Sequence, residues 1–119
     1  MSFSMTPDAI RNRTKTVTRR LAWWDLEPGT LLCAVEKAQG LKKGEKVVRL
    51  GVIRVLQVGW EPLDTFFEYG SEECTREGFP ELTPNGFVDM FCRANGCDPN
   101  LPQLAWVNRI EFEYVDDPS

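Results

Sequence analysis

Alternating apolar and polar positions dominate two long stretches of the chain, and shorter helical signals lie around them. From Lys46 to Trp60, Val48, Leu50, Val52, Leu56 and Val58 recur on one parity of a run rich in valine and isoleucine, which predicts a long strand. Gly51 within it is a candidate bulge or bend, the device by which a strand wraps around a small barrel. Leu104 to Val115 alternates again, with Trp106, Ile110, Phe112 and Tyr114 on one side, and predicts a final strand. Leu31 to Glu36 reads as a buried strand, and Thr14 to Thr18 as an extended segment. Lys37 to Glu45, with Gly40 and Gly44, reads as a hairpin-like loop.

Helix signals come as threonine-proline pairs. Thr6-Pro7-Asp8 offers an N-cap, a proline at the first helical position and an acid near the positive end of the dipole, predicting a short helix that ends near Asn12 or Arg13. Thr83-Pro84 repeats the signal for a helix ending near Cys92 or Arg93, with Phe87, Val88, Met90 and Phe91 on its core face. Between them, Leu63 to Glu77 predicts one or two helical turns interrupted at Gly70, with Ser71 capping Glu72 to Arg76 and Gly78 as the stop. Trp60 and Trp106 are expected in the core. The acidic end, Asp116 to Ser119, is expected to fray. The 119 residues form one domain, 1–119, without repeat, linker or low-complexity tract.

Charge changes this picture because it is uneven. Residues 1–54 carry eleven Lys and Arg against five acids, and the remainder three against thirteen. One face is thereby able to attract an anion while another repels it. The positive charge concentrates in Arg11 to Trp24, which holds Arg11, Arg13, Lys15, Arg19 and Arg20, three threonines, no acid, and the pair Trp23-Trp24. Cations for phosphate, hydroxyls for hydrogen bonds or attack, and aromatic faces for bases suggest a nucleotide or nucleic-acid site; a solvated charged loop has the same composition. Trp24 is the stacking candidate of the pair. Lys42, Lys43 and Lys46 extend the basic surface or simply solvate a loop.

Other chemistries are excluded by composition. With no histidine, Ser-His-Asp and Cys-His catalysis are ruled out, and acid-base work falls to Lys, Glu, Asp, Tyr or Cys. Cys33, Cys74, Cys92 and Cys97 lack a CxxC spacing and read as reduced, partly packed thiols, so neither metal nor cofactor is expected. The longest apolar run, Leu31 to Val35, is far below the roughly 20 residues of a membrane span, and an arginine-rich segment stands where a signal peptide would be apolar. The expectation is a cytoplasmic protein with no membrane partner.

Lys15-Thr16-Val17-Thr18-Arg19-Arg20 resembles the signature Gly-x-Lys-x-x-Thr-x-Arg of the ASCH domain family. Lys15, Thr18 and Arg20 match, while Arg13 occupies the glycine place. Leu26-Glu27-Pro28-Gly29, Arg76-Glu77-Gly78-Phe79 and the last strand are similar to further family segments, so the likeness spans nearly the whole chain. It implies an α+β, PUA-like small mixed β-barrel with flanking short helices, and a cleft for RNA or modified nucleobases. Certain small members hydrolyse the amide of N4-acylated cytidine, which carries catalytic roles onto Lys15, Thr18 and Glu77, with Glu72 and Glu73 as alternatives for the acid. Beside these, the basic stretch itself offers Arg19, Arg20 and Trp24 as candidate substrate contacts, of which Arg20 matches the signature. A module that binds RNA or a modified base without chemistry is the other expectation, and no oligomeric state is implied.

Overall fold

The computed structural model describes residues 1–37 and 43–116. Four strands, β1 (Val17–Arg20), β2 (Leu31–Val35), β3 (Arg49–Pro62) and β4 (Trp106–Val115), form one sheet in the order β1-β4-β3-β2. Every neighbouring pair is antiparallel. Helices α1 (Pro7–Arg11), α2 (Phe66–Tyr69), α3 (Ser71–Arg76) and α4 (Pro84–Asn95) are short, and single 3-10 turns at Leu63–Thr65 and Pro102–Leu104 lead into α2 and β4.

The fold is therefore α+β, as expected, with the four antiparallel strands curled into a half-barrel and short helices beside it. β1 and β2 are its edges, and the parallel component among the described residues is one isolated bridge, Ser2 to Val35. Closure is left to side chains. Leu63, Phe66, Phe87, Val88, Phe91 and Val107 build a core between the helices and the sheet, with Phe66 and Phe87 stacked at 4.4 Å. Phe3, Ile10, Ala34, Ile53 and Phe112 build a second core beneath the N-terminal segment and α1.

Bulges decide which face of β3 is buried. Register shifts occur opposite Ala34/Val35, beside Gly51, and between Val55 and Gln57. Before the second shift the buried residues are Ile53 and Val55, the parity opposite to the apolar series read from the sequence; Leu56 is exposed. Beyond it the extra residue switches the parity, and Val58 pairs with Ile110. Trp106 is likewise exposed, because Val107 turns inward and strand alternation sends its neighbour out. Trp60 is half-buried and pairs its ring with Trp24. Both tryptophans were expected in the core.

The helix ends follow the sequence with three exceptions. Thr83 caps α4 by accepting from the Gly86 N–H at 3.1 Å, and Gly96 closes it in the left-handed conformation, a few residues past the expected end. Thr6 precedes α1 but its hydroxyl makes no cap bond, and Gly70, not Ser71, is the N-cap residue of α3. All four cysteines are free thiols, two of them buried. Among the described residues no helix is long and apolar enough to cross a membrane. Lys42, much of the hairpin-like loop, and residues 117–119 of the acidic end lie outside the described residues.

Candidate active site

The basic stretch reaches the site through a tight reversal after α1. Asn12 ends the helix, and Arg13 takes the left-handed conformation (φ 60°) so that Thr14 and Lys15 both donate their N–H groups back to the Ala9 carbonyl. The Lys15 carbonyl accepts from the Tyr114 hydroxyl at 2.5 Å. These bonds fix the Lys15 backbone and send its side chain inward, where only 4% of it is exposed. Its Nζ donates to the Glu77 backbone carbonyl and to Glu77 Oε1 at 3.1 Å.

Glu77 arrives from the end of α3. Gly78, at φ 93°, turns the chain immediately after it and lies so close to α1 that a Cβ there would sit 3.1 Å from Ala9 Cβ and Thr6 Cγ2. The absence of a side chain lets the Glu77 carboxylate approach Lys15. Thr18 and Arg19 are neighbours on β1. Arg19 donates from Nη1 to Glu77 Oε2 at 2.8 Å and from Nη2 to Glu73 Oε2 at 2.6 Å, with its guanidinium over the Phe66 ring at 4.5 Å. Thr18 Oγ1 accepts from Arg20 Nε at 3.1 Å, and Arg20 Nη2 is held by the Ser2 carbonyl at 2.6 Å.

Lys15, Thr18, Arg19, Arg20 and Glu77 all line one cavity of about 250 Å³. Phe3 and Met5 of the N-terminal segment and Met90 and Phe91 of α4 supply apolar walls. The volume lies near the lower end of small-molecule pockets, the scale of one base or nucleoside and not of a polymer strand. Two arginines against one carboxylate among the lining residues leave it net positive inside an acidic protein even with Lys15 neutral.

Burial and charge act on the site in opposite senses. Desolvation lowers the pKa of Lys15 below the ordinary lysine value; Glu77 opposes the shift, and Arg20 and Arg19 add to it. Burial also pushes the Glu73 carboxyl up, but hydrogen bonds from Arg109 and Arg19 and their charges outweigh this and hold it at about 2. Glu73 accepts from Arg19, from Arg109 Nε (2.6 Å) and Nη2 (3.1 Å), and from Arg76 Nη1 (3.2 Å) while fully buried.

The candidate acids thus separate: Glu77 lines the cavity, Glu73 stands behind it, and Glu72 pairs with Arg76 at the surface. Trp24 is not among the lining residues. It is 63% exposed and stacks on Trp60 with ring centroids 3.5 Å apart, an arrangement fed by Trp23 at φ 70°. Sequence reading did not foresee Arg109 as a partner of Glu73, nor Met90 and Phe91 as cavity walls. One signal was present: Glu73 and Glu77 are four residues apart and share a helical face. Among the described residues no group of three or more His, Cys, Asp or Glu is placed to hold a metal.

No family model and no curated protein matches the chain. Among solved structures, its fold is similar to the crystal structure of protein EF3133 from Enterococcus faecalis V583, of the family DUF984. The TM-score is 0.52 at 17% identity, covering 92% of this chain and 69% of that one. At that identity the likeness extends to the fold alone.

Proposed function

We propose that the cavity is an amidohydrolase site for N4-acylated cytidine or a similar modified nucleoside, in an ASCH-type, PUA-like domain. The observation that carries this reading is that Lys15 and Thr18, from one short segment, and Glu77, 62 residues on from Lys15, line one pocket of nucleoside scale. The left-handed Arg13 adds support, because the resembling signature has a glycine at that place and glycine is the residue suited to φ 60°.

Each group has a role in the reaction. Thr18 Oγ attacks the amide carbonyl carbon, and neutral Lys15 takes its proton. Arg20, donating to Oγ1, favours the developing alkoxide and leaves the hydroxyl hydrogen for the base. Glu77, hydrogen-bonded to Lys15, relays the proton to the leaving nitrogen as the C–N bond breaks, which releases cytidine and leaves an acyl ester on Thr18. Water then attacks the ester; one of its protons returns to Thr18 Oγ through Lys15, and the carboxylic acid departs. Burial of Lys15 serves this cycle by favouring the neutral amine. Arg19, with both terminal nitrogens on carboxylates, orients the acid and Arg20 faces the ligand.

The test is incubation with N4-acetylcytidine and longer acyl homologues, with cytidine release followed chromatographically. Thr18→Ala and Lys15→Ala are expected to lower turnover at least about a hundredfold while leaving the circular dichroism spectrum unchanged. No release from any acyl derivative would end the hydrolase reading. One observation favours the alternative, a module that binds RNA or a modified base without chemistry: Lys15 Nζ and Thr18 Oγ1 already have protein partners. That reading predicts saturable ligand binding with no product, and for RNA a strong decline of affinity with salt.

A further inference from the structure

Among the described residues, Arg19 is the one side chain that hydrogen-bonds both buried carboxylates. Its Nη1 and Nη2 are divided between Glu77 and Glu73, its Nε has no hydrogen-bond partner, and the Phe66 and Tyr69 rings lie at 4.5 and 5.3 Å from its guanidinium carbon. Its orientation therefore rests on two charge-assisted bonds and on the rings beside it. Glu73 is in turn fixed from a second strand, since Arg109 of β4 holds both of its oxygens. The result is a continuous line of contacts, Arg109 to Glu73 to Arg19 to Glu77 to Lys15, running from the sheet into the cavity.

We infer that Glu73 is a positioning residue, whose carboxylate holds Arg19 against Glu77 and thereby sets the charge state of Lys15. It does not line the cavity, so it acts only through the groups between. The inference rests on the reading of Lys15 as the proton carrier of the reaction. Among the described residues, charged groups face the line from several elements. Lys15 faces Glu77 from the end of α3 and Arg19 and Arg20 from β1. Glu73 faces Arg76 on its own helix, Arg19 on β1 and Arg109 on β4. Glu61 of β3 stands 3.8 Å from Arg19 and accepts from the Tyr69 hydroxyl of α2, and Glu111 takes the remaining Arg109 nitrogen.

Removing one charge at either end of the line should move Lys15 in opposite directions. Glu73→Gln takes away a negative charge, leaves Arg19 and Arg109 less compensated, and disfavours the Lys15 ammonium. Arg109→Gln takes away a positive charge, leaves Glu73 less compensated, and favours the ammonium. The experiment follows the Lys15 side chain by NMR titration of lysine-labelled full-length protein, assigned with Lys15→Met, beside the pH dependence of kcat/KM on N4-acetylcytidine. The expected result is a shift of the Lys15 midpoint to lower pH in Glu73→Gln and to higher pH in Arg109→Gln, each by about half a unit or more, with the rising limb of the rate profile moving in step. Glu73→Asp, which keeps the charge, should restore most of the midpoint. Equal shifts of the same sign, or none, in the two folded charge variants would overturn the inference and leave Glu73 a structural residue. Should Glu73→Gln fail to fold, Arg109→Gln decides alone: an upward shift supports the coupling and an unmoved midpoint overturns it. Opposite shifts in the NMR titration with no turnover in any variant would sustain the coupling while ending the hydrolase reading.

Discussion

Replacing Glu73 by Gln tests how much the buried ion cluster contributes to folding. The carboxyl is held at about 2 in the folded protein against 4.5 for an unperturbed group. A difference of roughly 2.5 units at about 1.4 kcal/mol each gives roughly 3 to 4 kcal/mol, and solvent screening brings this to about 3 kcal/mol of stability at neutral pH, supplied by the charged form. Because the folded pKa is depressed, this stability is complete above the unfolded pKa and is lost as pH falls through the folded one, a window from about pH 5 to about pH 2. Glu73→Gln should therefore be about 3 kcal/mol less stable than wild type at pH 7, a large share of the ~5–15 kcal/mol typical of a small domain but not enough to prevent folding. The gap should shrink steadily as the pH is lowered. Urea unfolding of both proteins at pH 7, 5, 4 and 3, followed by tryptophan fluorescence, measures it, with an unchanged urea slope expected. A gap below about 1 kcal/mol at pH 7, or one that stays constant down to pH 3, would refute the argument that this carboxylate is held charged by its three guanidinium partners.

Other substitutions probe the backbone and the aromatic pair. Arg13→Gly should be about 1 kcal/mol more stable than Arg13→Ala in urea unfolding, because both lose the exposed Asp116 pair but only alanine keeps a Cβ at φ 60°. Gly78→Ala should cost about 3 kcal/mol, combining the strained φ with contacts at 3.1 Å, and should lower turnover further by displacing Glu77 from Lys15; thermal melts and kcat separate the two effects. Trp24→Ala should leave KM for the nucleoside unchanged, since the ring does not line the cavity, and should abolish any near-ultraviolet exciton signal from the Trp24–Trp60 stack at a cost below about 1.5 kcal/mol.

Much of the secondary structure was legible because it depends on local signals. Thr83-Pro84 opens α4 as cap and first-turn proline, and Gly70 interrupts the segment between α2 and α3 where the sequence predicts a break. The failures are places where a neighbouring strand decides. The apolar parity of β3 misled because an inserted residue near Leu56 reverses its faces, and no local signal records a bulge that only the register against β4 defines. Trp106 and Trp60 are large and apolar, yet their exposure is set by which neighbour turns inward.

The sequence by itself determined the kinds of groups available: a lysine, a threonine and an arginine at fixed spacing on one short segment, carboxylates one helical turn apart, and no histidine. Chain connectivity fixes such spacings, and they survive any fold. Only the tertiary structure decided which of Glu72, Glu73 and Glu77 lines the cavity, and that Arg19 binds two carboxylates, because those outcomes depend on where α3 lands against β1 and β4. It also decided that Trp24 stacks on Trp60 away from the cavity. The cost of burying charge explains why this division matters: a lysine or glutamate is tolerated inside only when partners from elsewhere in the chain meet it, and that meeting is a property of the packed molecule.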